Sequence, residues 1–177
     1  PDEIDSETMA HRRRADLIPA AYAPSKEIRA VKRVLRQRMF YVRVGTMIKN
    51  RIAALLAQHS VQKPEVSTIY GRAGMEWLES LELPSPDGEL LDEDLHLLKV
   101  VERRIAATES LIRKLSAKDP AVVWLDSLPG IGEFFAVLIR YEVDDMDRFR
   151  SAKKFASYTG LVPSTYSSGN RTVHGRL

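Results

Sequence analysis

The residues best suited to chemistry lie in the last third of the chain, where Gly130 and Gly132 flank Ile131. A tight turn at these positions would leave backbone amides free at the start of the helix predicted for the apolar run that follows. Free amides and the positive end of a helix dipole together form a common phosphate site. The pattern is typical of a helix-hairpin-helix that holds a nucleic-acid backbone. The alternative is a plain corner between two helices that binds nothing.

Basic residues accompany this turn in the sequence, namely Arg140, Arg148, Arg150, Lys153 and Lys154. Their charge favours contact with phosphates over the plain corner. Phosphate contacts carry no base information, so such binding would be largely independent of sequence and sensitive to salt. We therefore predict that the glycine turn and these five basic side chains bind nucleic acid.

Two carboxylates near the start of the chain, Asp2 and Asp5, have a spacing that suits a shared metal ion. Residues three apart on a helix lie on one face, so both could approach one Mg²⁺ or flank a pair of ions. The same spacing also occurs where acids simply favour the positive end of a helix. The four histidines show no paired spacing and the chain has no cysteine, so no zinc site is predicted.

Composition limits the class of protein. With 177 residues, of which 44% are hydrophobic and 29% charged, the chain can bury a core of one or two domains. The absence of cysteine excludes disulfides and fits a cytoplasmic, nucleoid-associated setting. The sequence has neither an apolar run long enough for a membrane span nor a signal-peptide pattern, so we expect a soluble protein without a membrane partner.

Charge is distributed unevenly along the chain, although the formal net charge is only +3. The stretch from Lys26 to Arg51 has nine Lys or Arg and one acid, whereas Glu76 to Glu93 has seven acids and no base. The basic stretch, with Phe40 and Tyr41 inside it, could also hold nucleic acid. A charged helix face is nevertheless more often only solvated.

The pattern of apolar residues predicts an all-α fold without a convincing strand. We expect a short helix over 5–17, a long helix from an N-cap at Ser25 to about Gln58, and a connector at 60–88 with one short helix. From Glu89 to Ala117 a heptad repeat predicts a coiled-coil helix. Its seam residues are Leu91, Leu98, Ile105 and Ile112, with Val101, Thr108 and Leu115 at the second position.

The coiled-coil helix could pair with the 25–58 helix in the same chain or with another subunit. A long antiparallel helical hairpin that dimerises is the preferred interpretation. Asp119 and Pro120 are suited to start a further helix, and a last helix from about Ser151 ends at Gly160, a residue suited to a left-handed cap. Trp77 and Trp124 are expected to pack among apolar side chains.

Three segments resemble the insertion-sequence transposases of the 110/116/902 type, a DEDD transposase family related to the Piv DNA invertase. The resemblance is carried by Leu128-Pro129-Gly130-Ile131-Gly132, by the run from Arg148-Phe149-Arg150 to Gly160-Leu161-Val162-Pro163, and by Tyr166-Ser167-Ser168-Gly169. Near the start, Asp2-Glu3-Ile4-Asp5 has the spacing of the family's last two RuvC-like metal ligands, with Pro1 where the family usually has threonine.

The resemblance implies a fragment of a Mg²⁺-dependent DNA transposase. Residues 1–24 would end a RuvC-like domain, 25–118 would form the coiled-coil dimerisation segment, and 119–177 would form a truncated helical transposase domain. Asp2 and Asp5 would bind metal, and the family's other acids would lie upstream. Ser168 would be the nucleophile that attacks a DNA phosphodiester, whereas a plain Ser-Gly turn is the alternative. Partners would be DNA, a structured guide RNA and further copies of the chain.

Two other functions stay open from the sequence. A non-catalytic nucleic-acid-binding module could display the helix-hairpin-helix on a dimeric coiled coil. A purely structural coiled-coil protein is the third interpretation.

Overall fold

A computed structural model of the protein describes residues 2–17, 22–162, 165–168 and 171–175. Most of these residues are helical, as predicted. Seven helices and two short strands follow one another along the described residues: α1 Asp2–Arg14, α2 Lys26–Gln58, α3 Arg72–Glu79, α4 Asp87–Ser116, α5 Pro120–Asp126, α6 Glu133–Val143, α7 Ala152–Tyr158, β1 Thr165–Ser168 and β2 Arg171–His174.

Local signals set where several helices begin. The Ser25 side chain accepts a hydrogen bond from the Ile28 amide and caps α2, as predicted. Asp119 caps α5 in the same way through the Ala121 amide, and Pro120 occupies the first helical turn, where no amide donor is needed. The predicted connector is slightly too long at its end, because α4 already begins at Asp87.

Helices α2 and α4 pack side by side and run in opposite directions. Ion pairs follow this arrangement: Arg38 lies 2.8 Å from Glu109, whereas Arg51, further along α2, lies 3.1 Å from Asp94, earlier on α4. The two helices therefore pair within one chain. Coiled-coil geometry and dimerisation stay predictions.

The first apolar cluster joins α2, α3 and the first half of α4. It excludes water because its side chains are at most 5% exposed, which supplies the main favourable term for packing these helices. Its members are Ile48, Ile52, Leu56, Leu78, Leu91, Leu95, Leu98 and Val101. The predicted heptad seam is largely buried, but Leu115 is 44% exposed and belongs to neither cluster.

The second apolar cluster fixes the helical domain to the other end of the α2–α4 pair. Val31 and Leu35 of α2 pack with Ile112 of α4 and with Val137 and Tyr141 of α6. The position of α6 is therefore set by the same two helices that build the first cluster.

A two-stranded antiparallel hairpin, β1 with β2, corrects the expectation that the chain has no strand. Thr165 pairs with His174, and Ser168 pairs with Arg171. The strands were missed because they are four residues long and mostly polar, so no apolar alternation marks them.

Among the described residues, no helix has both the length and the apolar composition needed to cross a membrane.

Replacing Leu98 by alanine tests the α2–α4 core. Leu98 is 0% exposed, so Leu98→Ala should lower the free energy of unfolding by about 2–5 kcal/mol through reduced burial and a cavity. The control is its neighbour Leu97, which is 46% exposed, and Leu97→Ala should change stability by less than about 0.5 kcal/mol. Urea unfolding followed by circular dichroism measures both. Equal destabilisation of the two variants would contradict this packing.

Candidate nucleic-acid interface

The glycine turn connects α5 to α6. Gly130 has φ +86°, a left-handed conformation that side chains other than glycine adopt at a cost. The Ile131 amide donates to the Leu128 carbonyl at 3.0 Å, which closes the turn. Gly132 is the N-cap of α6, and its carbonyl accepts from the Ala136 amide at 3.0 Å. The sequence prediction of a tight turn followed by a helix is therefore confirmed.

The surroundings of this turn are open. A methyl group added to Gly130 or Gly132 would meet no other atom within 4 Å. Gly132 offers no side-chain oxygen to the first turn of α6, whose leading amides have no acceptor within the helix itself. The geometry thus suits an oxygen acceptor that approaches from outside, such as a phosphate.

An acidic side chain stands at the same helix start. Glu133, the first residue of α6, is about half exposed and forms an ion pair of 2.9 Å with Arg113 of α4. Hydrogen bonding to the Glu133 carboxylate raises the pKa of Arg113 above its usual value. The carboxylate occupies part of the positive region that the helix dipole creates, so an incoming anion would compete with it.

The predicted basic residues fall into two groups. Arg150, Lys153 and Lys154 are exposed, and Ser151 caps α7 between them. Arg140 and Arg148 are half-buried and engaged within the protein. Contact with an outside phosphate is therefore sterically simple for the first group only.

Arg140 and Arg148 make contacts that hold the helical domain together. The Arg140 guanidinium donates to the Asp119 carboxylate at 3.0 Å and to the Asp144 carbonyl at 2.9 Å. Arg148 donates to the Val143 carbonyl at 3.1 Å. Either arginine would have to give up these partners to reach a phosphate.

An apolar groove of about 750 Å³ brings α7 close to the glycine turn, since Ile131 and Phe155 both line it. Trp124 also lines this groove, so it lies among apolar side chains as expected, but at 64% exposure it remains at the surface. Trp77, in contrast, is partly buried against the first cluster, as expected. Sequence reasoning missed the groove because its walls come from separate elements.

Some cations in the basic stretch of α2 form ion pairs with acids of α4, and others do not. Arg38, Lys49 and Arg51 are neutralised by acids of α4, with Lys49 lying 3.1 Å from Glu102. Phe40 is 54% exposed, whereas Tyr41 packs against the first cluster. Only part of the predicted basic face therefore keeps its charge available.

The described residues do not form a site that joins the candidate catalytic residues. Asp5 lies on α1, whose residues 5–14 are all exposed. Ser168 ends β1, and this strand packs chiefly on β2. The side chains of Asp2 and Ser168 lie outside the described residues. Among the residues that are described, no cluster of three or more His, Cys, Asp or Glu could hold a metal ion.

Comparison with known proteins gives a consistent result. Residues 124–177 match the family described as Transposase IS116/IS110/IS902 family. A "Probable family 20 transposase" of Pseudomonas aeruginosa is 33% identical over 165 residues, which cover 88% of this chain and 48% of that protein. The "Transposase for insertion sequence element IS1328" of Yersinia enterocolitica is 25% identical over 97% of this chain and 51% of its own length. The chain thus spans about half the length of these two relatives.

The backbone conformation of Gly130 gives a direct test of the turn. Gly130→Ala should destabilise the protein by about 1–2 kcal/mol, because alanine is strained in the left-handed region while the open surroundings add no steric clash. Gly130→Asn is the matched control and should be clearly less destabilised, because asparagine tolerates this conformation better. Thermal or urea unfolding distinguishes them. An unchanged stability for Gly130→Ala would contradict the left-handed backbone conformation at this position.

Proposed function

We propose that this chain, whose matches support the IS116/IS110/IS902 transposase family, supplies part of a transposase that cuts and rejoins DNA. One observation carries the proposal: the segment that matches the family, residues 124–177, contains both the open glycine turn and the exposed cations of α7. Relatives over most of the chain are named transposases. The protein would act on DNA in the cytoplasm, at the nucleoid.

The glycine turn would act as the helix-hairpin-helix that holds duplex DNA. Its open backbone and the leading amides of α6 offer donors to a phosphate oxygen. Arg150, Lys153 and Lys154 would add charge beside this contact, and Arg140 and Arg148 would position the helices that present it. Recognition of this kind grips the DNA backbone and leaves the choice of sequence to another part of the assembly.

The metal-dependent part of the reaction would use Asp2 and Asp5. Asp5 is exposed on α1, and residues three apart on a helix share a face, so this pair fits two oxygen ligands of Mg²⁺. Mg²⁺ prefers six oxygen ligands, so the remainder would come from other acids, water and DNA. When bound, the ion supplies charge that polarises the reacting phosphate.

Ser168 would be the nucleophile. Its hydroxyl oxygen would form a bond to the DNA phosphorus, the bond from that phosphorus to the leaving sugar oxygen would break, and the hydroxyl proton would end on the leaving oxygen. Attack by another DNA hydroxyl on the phosphoserine would reverse these steps and rejoin the strands. No histidine or lysine of the sequence is obviously placed to act as the base. Water, or a group at the metal-polarised phosphate, would therefore carry the proton to the leaving oxygen.

The assembly would include a structured guide RNA and further copies of the chain. The cations of α2 that remain unpaired suit a polyanion, and the α2–α4 pair presents exposed apolar side chains that a second copy could cover, among them Phe40, Met47 and Leu97. Dimerisation through this coiled-coil segment is part of the proposal.

A second function is favoured by the placement of the acids. Since residues 5–14 of α1 are all exposed, a non-catalytic nucleic-acid-binding module would account for the described residues without a metal site. The two functions differ in whether strand exchange depends on Asp5 and Ser168. A purely structural role would require the protein to bind no nucleic acid at low salt.

Glu133 provides a test of phosphate binding in which affinity should rise. Glu133→Gln removes the carboxylate from the start of α6 and frees Arg113, so affinity for duplex DNA should increase about two- to fivefold. Glu93→Gln is the control, because it removes an equal charge from an exposed position on α4. Fluorescence anisotropy at several salt concentrations measures both. Equal increases would indicate bulk charge, and no increase in Glu133→Gln would contradict phosphate contact at the turn.

The same titration tests α7. Lys153→Gln with Lys154→Gln should make the dependence of duplex affinity on salt shallower, by about 0.9 in slope for each phosphate that the side chains no longer neutralise. An unchanged affinity and slope would remove α7 from the interface.

Strand exchange tests the proposed chemistry in the full-length protein. Ser168→Ala and Asp5→Asn should each abolish excision and joining of element ends while duplex binding persists. Ser167→Ala is the control for Ser168 and should remain active. Normal exchange by Ser168→Ala would refute the nucleophile, and normal exchange by Asp5→Asn in Mg²⁺ would refute the metal role of Asp5.

A further inference from the structure

A cationic groove of about 530 Å³ lies apart from the glycine turn, where the first part of α2 faces the region around the end of α6 and the end of α7. The side chains that line it include the cations Arg29, Lys32, Arg33, Arg36 and Arg148. A single acid, Glu142, lines it as well. The groove therefore has a marked excess of positive charge.

The α2 cations converge because of their spacing. Arg29, Arg33 and Arg36 are four and three residues apart, so they form a stripe on one helix face. Glu142 lies 3.0 Å from Lys32 and 3.6 Å from Arg36, so its charge is already shared between two cations. Within the described part of the chain, Arg29 and Arg33 have no ion-pair partner, and both are exposed. Mutual repulsion along the stripe would be relieved by a bound anion with several charges.

Aromatic rings stand beside this stripe. The Arg148 guanidinium lies 4.5 Å from the centre of the Tyr22 ring and 4.4 Å from that of the Tyr158 ring. The Tyr158 hydroxyl donates to the Glu142 carbonyl at 3.1 Å, and the Tyr22 hydroxyl donates to the Asp144 carboxylate. These contacts hold both rings at the groove while Tyr22 remains 44% and Tyr158 49% exposed.

We propose that this groove binds an unpaired stretch of nucleic acid. Phosphates would contact Arg29, Arg33 and Arg36, and an unpaired base would stack on the exposed part of Tyr158 or Tyr22. A groove of about 530 Å³ is of the size that encloses a nucleotide-sized group. The bases of a duplex are stacked on one another, so only an unpaired strand offers phosphate and base together.

The inference rests on the proposed function only in taking nucleic acid as the polyanion that is bound. The groove itself shares no lining residue with the glycine turn. The groove would contact a single strand, in addition to the proposed contact of the turn and α7 with a duplex. DNA and RNA have the phosphodiester and base chemistry in common, so both are tested.

The first experiment removes charge from the groove. The double variant Arg29→Gln with Arg33→Gln is titrated against labelled oligo(dT), oligo(rU) and a DNA duplex of equal length. We expect weaker binding of the single strands, with a salt slope shallower by about 0.7 for each phosphate no longer neutralised, while the duplex is little affected. The control variant Arg103→Gln with Lys114→Gln removes the same charge from exposed positions on α4, outside the groove. An equally weakened control, or unchanged binding by the groove variant, overturns the proposal.

The second experiment tests stacking at Tyr158. Tyr158→Leu should bind the single strands about fivefold more weakly or worse, because a base can no longer stack on an aromatic ring. Tyr158→Phe keeps the ring and removes only the hydroxyl bond, so it should bind nearly as the parent does. Equal weakening in the two variants would contradict stacking. Circular dichroism and urea unfolding of each variant check that the fold is kept.

The outcome for DNA and RNA identifies the source of the strand. Weaker binding of both oligomers supports a shared contact, and weaker binding of one supports the proposal and names that strand. If the groove variants bind every oligomer as the parent does, while Lys153→Gln with Lys154→Gln no longer binds the duplex, the groove proposal fails and the proposed function stands. If instead the groove variants bind the single strands more weakly while Lys153→Gln with Lys154→Gln binds the duplex as the parent does, the groove proposal stands and the duplex contact at α7 is refuted.

Discussion

The apolar contact between α2 and α4 is the constraint on which the other surfaces depend. One cluster closes the pair around Ile52 and Leu98, and a second, around Leu35 and Ile112, attaches α6 at the opposite end. Since α6 begins at the glycine turn, the orientation of that turn is set by its packing on both long helices. Interiors are densely packed and deform little, so such an attachment fixes the turn firmly. The proposed contact with a stiff duplex would benefit from this rigidity.

The same contact decides which charges of α2 remain available. Acids of α4 neutralise Arg38, Lys49 and Arg51 along the shared face, so the middle and end of α2 have much less basic character than the sequence indicates. Near its start, α2 faces α6, which supplies only Glu142. The positive excess is thereby concentrated at Arg29 and Arg33. A formal net charge of +3 hides this arrangement, because polyanion binding depends on where charges lie and not on their sum.

Much of the helical framework could be predicted because its signals are local. Ser25 and Asp119 cap helices through amides two or three residues away, and Gly160 has the left-handed φ of +77° that its place after α7 predicts. The features that were missed depend on partners distant in sequence. Arg148 is held by the Tyr22 ring, and Trp124 is left exposed because α6 packs against Val122 instead. No local pattern contains that information.

The candidate binding surfaces and the candidate reacting groups lie on different elements of this chain. The candidate binding surfaces lie on α2, α6 and α7, which contact one another directly or share the walls of one groove. The candidate reacting groups lie on α1 and at the end of β1, elements that are not part of the packed α2–α4–α6 unit. Phosphoryl transfer needs a nucleophile and metal ligands within a few ångströms of one phosphorus atom. The proposed reaction would therefore need α1 and β1 to be brought to one phosphate, and binding of DNA or of a further copy of the chain would then couple strand cleavage to assembly of the complex.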